Sequence, residues 1–361
     1  MNRLRRCFVI AEAGVNHNGS VERALALVDV AADAGADAVK FQTFRADALA
    51  TAGAGRAQYQ TRNLGESGSQ VAMLRALELS FDAHRAVNER CRERSIEFMS
   101  TAFDMQSLEF LLQELGMSRI KVSSGDATNA PFLLELARCG KPLLVSTGMC
   151  TLSEVEQALT VLAFGLSRPG ASPSRAGFAA AYASVEGQTQ LREKVTLLHC
   201  VTEYPAPFEA VNLQAMSTLA AAFGLEVGYS DHTEGMAVAL ASVARGATVL
   251  EKHFTLDRAL PGPDHAASLE PGELRSLVRA VREIEAAIGN GIKVPAPCEL
   301  PNLVVARRSL VAARDLKAGH RFEMEDIAIK RPGNGAMPIL LWEKLGRVIE
   351  RDYLAGEVIE P

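Results

Sequence analysis

Short apolar runs rich in β-branched residues alternate with helix-length amphipathic segments along the first 290 residues. The runs are Cys7–Ala11, Ala38–Phe41, Ile96–Ser100, Ile120–Val122, Leu143–Ser146, Val195–Cys200, Glu226–Tyr229 and Thr248–Glu251. Nearly continuous apolar strands separated by helices predict a parallel sheet covered on its outside, and eight repeats close a TIM (β/α)8 barrel. A doubly wound open sheet is the structural alternative. The last barrel helix is the plainest: Leu274, Leu277, Val278, Val281, Ile284 and Ile288 recur at steps of three and four, with Arg275, Arg279, Arg282 and Glu283 outside. The first helix follows Asn18-Gly19-Ser20 and carries Leu25, Val28 and Ala32 on one face. Ser153-Glu154-Val155-Glu156 predicts a capping box at the fifth helix.

Two connections are long. Thr43–Ser80, rich in Ala, Gly and Arg, follows the second strand and suits a mobile lid. Gly165–Lys194 follows the fifth helix, at the opposite end of a barrel, and reads as a structural or oligomer-contact insertion. The pattern changes after Gly289-Asn290-Gly291, so residues 1–290 are expected to be the catalytic barrel and 291–301 a Pro-containing linker. Residues 302–361 then form a small turn-rich β module, with strand-like pieces at Ser309–Ala312, Phe322 and Ile327–Ile329. A core of that size is marginal alone and is expected to dock on something.

Composition narrows the function. The 361 residues are 48% hydrophobic, which excludes disorder, and 43 acidic against 38 basic side chains give a net charge of −5 with no basic cluster. Nucleic acid is therefore not an expected partner, and an anionic ligand needs a local pocket. No run approaches a bilayer span, and the basic start Met1–Arg6 is followed by the polar stretch Glu12–Asn18 where a signal sequence would stay apolar. Six scattered cysteines without a C-x-x-C pair fit reduced, mostly buried thiols. A cytoplasmic, enzyme-sized protein without membrane association is expected.

In a barrel, polar residues at strand C-termini face the active site. Here those ends supply Glu12, Asn16, His17 and Asn18; Lys40 and Gln42; Ser100 and Thr101; Lys121, Ser123, Ser124 and Asp126; Ser146 and Thr147; Thr202; Asp231 and His232; Glu251 and His253. A single Ser or Thr among these reads as a turn or cap, but the convergence of Lys, Glu and His reads as an active-site mouth. The lysines and hydroxyls suit a phosphate and a carboxylate, and Ser146-Thr147-Gly148 opens toward a helix N-terminus. His232 and His253 fall on neighbouring strands, about 4.8 Å apart, so both imidazoles can reach one divalent metal with positions left open. His199 reads as a satisfied core histidine, and His84 and His320 as surface or packing residues. His265 lies in the loop after the eighth strand, where Asp264 is the better hydroxyl binder.

At these residues the chain resembles the sialic acid synthase family. The matching stretches are Ile10–Gly19, Val39–Thr43, Leu144–Met149, Tyr229–Thr233, Glu251–Thr255 and Pro261–Asp264, and Lys330–Gly335 lies in a tail similar to that family's antifreeze-like (β-clip) module. The resemblance implies a domain-swapped homodimer that condenses phosphoenolpyruvate with an open-chain N-acylated mannosamine-type sugar. The products would be a nonulosonic acid and phosphate, formed with C–O cleavage. By matched position, His232 and His253 would bind the metal, Mn²⁺ first, with Mg²⁺ or Co²⁺ possible. Lys40, Gln42, Thr101, Lys121, Ser124, Ser146 and Thr202 would hold phosphoenolpyruvate. Asp126, Tyr204 and Asp264 would meet the sugar, and Arg331 would reach its acyl group across the dimer. Glu12, near the metal, is the candidate for activating water, and Lys40, Lys121 and Asp126 complete the expected catalytic set.

Asp126 stands where the family often has Glu, and Thr202 where some members have Asn, so the acceptor sugar stays open. N-acetylmannosamine is the first expectation and a 2,4-diacetamido-6-deoxy sugar, leading to a legionaminate-type product, the second. Two other classes compete: a Schiff-base aldolase using Lys40 or Lys121, and a carbohydrate- or ice-binding protein built on the tail.

Overall fold

In a computed structural model describing residues 6–65 and 67–361, eight parallel strands close a barrel in sequential order. They are β1 (Phe8–Gly14), β2 (Ala38–Thr43), β3 (Glu97–Ala102), β4 (Ile120–Val122), β5 (Leu143–Ser146), β6 (Val195–His199), β7 (Glu226–Asp231) and β8 (Val249–His253). Pairing of Phe8 with Val249 and Glu12 with His253 shuts the cylinder. Five of these strands run further than their apolar runs: pairing continues through Glu12, Gln42, Thr101, Asp231 and His253, polar residues that hydropathy reads as loop. The basic start at Met1–Arg5 lies outside the described residues.

Alternate residues of a strand face the same side, and here that rule divides core from chemistry. Ile10, Ala38, Met99, Leu144, Leu198 and Val249 fill the barrel interior as one apolar layer. Two residues further along the chain from each come Glu12, Lys40, Thr101, Ser146, Cys200 and Glu251. Gly228 must lack a side chain in this interior, because a Cβ there would lie 2.4 Å from the Val249 carbonyl oxygen and 2.6 Å from Leu198 Cδ2. The outward residues, Val39, Phe41 and Leu250 among them, pack under the helices in the main core, which Leu277 of the last helix also joins.

Several local expectations need correction. The first helix, Val21–Ala34, buries Ala24, Leu27, Val28, Ala31 and Ala34, so its inner face is rotated from Leu25 and Ala32, which are only half-buried. Ile288 of the last helix is exposed, because the contact face ends at Val281 and its flank. The fifth barrel helix, Leu152–Ser167, starts one residue before Ser153, and its cap lies two residues before it. Thr151 is its cap, taking the Glu154 N–H at 3.3 Å while the Glu154 carboxylate takes the Thr151 N–H at 2.8 Å.

The segment after β2 is not a bare loop. It forms helices Ala46–Leu49, Gln58–Leu64 and Gln70–Leu77, because Met73 and Leu77 bury against Val15 and Phe44 in a satellite core. The Gly165–Lys194 stretch likewise folds, as the end of one helix and then Arg175–Tyr182 and Val185–Lys194. Cys298 is exposed and Cys139 and Cys150 are half-buried, so only three of the six thiols lie in the interior.

The chain divides into two compact units, one ending at Asn290 and one running from Gly291 to Pro361. The second opens with a helix, Leu300–Ala306, where a linker and β module were expected. Its strands β9 (Ser309–Ala312) and β10 (Ile327–Lys330) pair antiparallel, and Leu310, Leu316, Phe322, Ile349, Tyr353 and Ile359 make its own core. Phe322 belongs to that core from a turn beside an isolated bridge, not from a strand. No helix among the described residues is long and apolar enough to cross a membrane.

Candidate active site

The polar layer converges on one carboxylate. Lys40 Nζ lies 2.7 Å from Glu12 and 3.5 Å from Glu251, Lys121 Nζ lies 3.4 Å from the other Glu251 oxygen, and all four side chains are at most 5% exposed. Ser230 donates to Glu251 at 2.7 Å and Lys40 donates to Thr101 at 3.1 Å. Burial works against charge on Glu251, yet Lys121, Lys40 and the Ser230 hydroxyl together hold its carboxyl below the usual range. Burial and the repulsion of Glu251 instead push Glu12 up, against the pull of Lys40. Lys40 is also desolvated, but Glu12 and Glu251 outweigh that and raise it, so its amine stays protonated.

Beside this cluster lies a cradle of oxygen and sulfur. A Cβ on Gly148 would sit 2.4 Å from Thr202 Oγ1, 2.8 Å from Ser124 Oγ and 3.0 Å from Cys200 Sγ, so the close approach requires glycine. The Gly148 N–H donates to Ser124 at 3.1 Å. Ser146 and Thr202 hydroxyl oxygens are buried without a partner. Unspent hydroxyls next to two buried ammonium groups are what a dianionic ligand needs.

The two histidines meet at the same mouth, their rings 5.5 Å apart. His232 Nδ1–H donates to the Val201 carbonyl at 2.6 Å, which aims the other ring nitrogen inward, and His253 Nδ1 is buried without a partner. Burial lowers His232 to about 4 and holds His253 well below its ordinary value, so both rings are neutral and have lone pairs to give. Such a pair, with His232 held from behind by the Val201 carbonyl, fits a divalent ion. Among the described residues no group of three His, Cys, Asp or Glu closes on one point. Tyr204 packs against both rings, 4.0 Å from His232 and 5.5 Å from His253.

The lid helix Gln58–Leu64 is tied down over this wall. The Tyr59 ring packs at a tilt 5.0 Å from Tyr204, Arg62 pairs with Glu203 at 2.9 Å, and the Asn63 amide donates to the carbonyls of Tyr204 and Pro263 at 3.1 and 2.6 Å. Asp264 is buried nearby and faces no cation within ion-pair range among the described residues, and burial raises its carboxyl to about 7.

The family model for the NeuB family matches residues 27–293, most of the chain, and the SAF domain model matches residues 307–361. The chain belongs to the NeuB family. It is 44% identical to the N,N'-diacetyllegionaminic acid synthase of Campylobacter jejuni over 99% of both chains. It is also 44% identical to the enzyme of that name from Legionella pneumophila, covering 98% of this chain and 93% of the other. Among solved structures, the N-acetylneuraminic acid (sialic acid) synthetase of Leptospira borgpetersenii serovar Hardjo-bovis, in complex with citrate, matches with a TM-score of 0.65 at 32% identity. That match covers 82% of this chain and 90% of the other. The family resemblance read from the motifs is thereby established, together with the SAF tail.

Within this NeuB-family barrel, the remaining candidates are placed unequally. Gln42 lies half-buried at the end of β2, its amide 3.5 Å from where a Gly14 Cβ would stand, beside Glu12 and His253. Asp126 is engaged in its own turn, accepting from Ser123 at 2.8 Å and from Asn129 at 3.2 Å. Arg331 is exposed and directly follows β10 in the second unit. His84 is fully buried, held by Thr43 and Ser80, while His199 bonds the Val211 carbonyl and His320 pairs with Asp326. His265 is fixed between Thr255 and Asn18. Glu251 stands at a strand end in the sequence with no role assigned to it there; the signal for one is its place two residues before His253, on the same inward face. Ser230, Cys200, Tyr59 and Asn63 were not singled out as site residues.

Proposed function

We propose that this NeuB-family enzyme condenses phosphoenolpyruvate with an open-chain N-acylated amino sugar to give a nonulosonic acid and inorganic phosphate. The observation that carries the reading is the buried pair of lysines sharing Glu251 beside hydroxyls that have no protein partner. Lys40 and Lys121 neutralise an anion entering from the mouth, and Thr101, Ser124, Ser146 and Thr202 supply hydroxyls to its oxygens, with Gln42 at the rim. Glu251 keeps both ammonium groups in place rather than reacting itself. His232 and His253 would hold a divalent ion, Mn²⁺, Mg²⁺ or Co²⁺, which when bound supplies Lewis acidity to an aldehyde oxygen.

The chain's own groups then account for the rest of the chemistry. The lysines hold the enol phosphate while its C2=C3 π electrons form the bond from C3 to the sugar's aldehyde carbon, and the aldehyde oxygen takes up a proton as its C=O π bond opens. Glu12, raised by burial and next to Lys40, accepts a proton from the water that adds at C2. The C2–O bond to phosphate then breaks as the new C2 hydroxyl gives up its proton and becomes the keto oxygen, and the leaving dianion stays paired with Lys40 and Lys121. Tyr204 and Asp264 line the side where the sugar enters, and Asp126 offers a shorter contact than Glu would. A tail exchanged between two copies, presenting Arg331 to the acyl group, belongs to the same proposal.

For the acceptor we favour a 2,4-diacetamido-6-deoxy sugar, reversing the order expected from the sequence, because both relatives at 44% identity are legionaminate-type synthases. N-acetylmannosamine is the second reading, supported by the 32% identical sialic acid synthetase. A Schiff base needs a neutral amine, and Lys40 is held protonated by two carboxylates. Incubation with phosphoenolpyruvate, Mn²⁺ and a panel of N-acylated hexoses should release phosphate only when an acceptor is present, with a product mass equal to sugar plus pyruvate. Phosphate release without an acceptor, a borohydride-trapped lysine adduct or full activity after chelation would each count against the assignment.

A further inference from the structure

A second charged pair lies on the opposite side of the same two strands. Asp231 and Lys252 face outward, between barrel and helices, with both side chains completely buried and 2.9 Å apart. They are direct partners in the β7–β8 register. Lys252 also donates to the Thr233 carbonyl, while Asp231 accepts the Thr233 N–H at 3.0 Å and its hydroxyl at 2.9 Å. The residues on both sides of His232 are thus gripped by the residue that precedes His253. A buried ion pair is a poor source of stability, since well-packed apolar side chains usually do as well. What it does supply is register, and a slip of one residue would turn an inward histidine outward.

We propose that Asp231 and Lys252 are positioning residues that set the spacing and facing of the His232 and His253 imidazoles for a shared divalent cation. This rests on the metal reading above. The test uses the full-length protein and Mn²⁺ alone, with free ion counted by electron paramagnetic resonance, so no turnover is needed. Wild type should bind Mn²⁺ and His232→Ala should not. The double variant D231N/K252M removes both charges together and keeps an oxygen for Thr233. It should bind Mn²⁺ about 10- to 100-fold more weakly, with a melting temperature within about 5 °C of wild type. Lys252→Arg keeps the charge but shifts the donor; it should fold and lose about tenfold, and it decides the matter if the double variant does not fold. Wild-type affinity in a folded variant overturns the positioning role alone. Failure of the wild type to bind Mn²⁺ overturns the metal reading and the proposal with it.

Discussion

Lys40 and Lys121 come from strands far apart in sequence and meet on opposite oxygens of Glu251. Replacing Lys121 by Met leaves a buried carboxylate with one fewer counter-charge and the proposed anion subsite with half its positive charge. Phosphate release should fall about 10²–10³-fold in kcat/KM, measured at saturating acceptor with phosphoenolpyruvate varied. Asp264 gives a pH-dependent prediction. Its folded-state carboxyl is raised to about 7 by burial, so charge on it opposes folding. That opposition is absent below the unfolded value near 3.9, grows as pH rises, and is complete above about 7. Asp264→Asn should therefore stabilise the protein at pH 8 by up to about 4 kcal/mol, with a smaller gain at pH 5.5. Denaturant melts at the two pH values check this, and a gain that grows on acidification contradicts it. The lysines, hydroxyls and histidines were legible because strand-end residues of a barrel have few other places to point. Glu251 was not given its role, because its partners lie on β2 and β4, and only closure brings them together.

At the scale of elements, all eight barrel strands were legible in kind but five were short at their functional ends, where chemistry replaces hydropathy. The segment after β2 was less legible, since its helices depend on Met73 and Leu77 reaching Val15 and Phe44, contacts that no local pattern reveals. Its attachment rests heavily on Asn63. In Asn63→Ala the Tyr204 and Pro263 carbonyls lose their amide, a local penalty of about 1–3 kcal/mol. Hydrogen exchange should speed up in Gln58–Leu64 while barrel strands stay protected, and the KM for the acceptor sugar should rise several-fold, by about 1 kcal/mol in binding. An unchanged exchange pattern would show that the ring packing of Tyr59 and the Arg62 pair suffice.

Over the whole molecule, the change of pattern near residue 290 was visible because helical periodicity gives way to Gly and Pro. The short helix that opens the second unit was hidden by Pro297 and Pro301. Each unit has a separate apolar core. A chain ending at Asn290 should therefore keep its helical circular dichroism and melt within about 5 °C of the full protein. Under the proposed tail exchange it should lose turnover of acylated sugars, and Arg331→Ala in the full chain should reproduce much of that loss; a truncated barrel with full turnover would place acceptor recognition entirely in the first unit.

The layering inside the barrel has a consequence for how such an enzyme can change. Glu12, Lys40, Thr101, Ser146 and Glu251 each stand one pleat above a residue that fills the interior, so altering these polar groups disturbs the scaffold beneath them. Tyr59, Asn63, Asp126, Tyr204 and Asp264 hang on connections that the barrel does not need to close. Libraries confined to those connections should yield folded proteins with new sugar preferences, whereas libraries in the strand-end layer should yield mostly dead or insoluble ones.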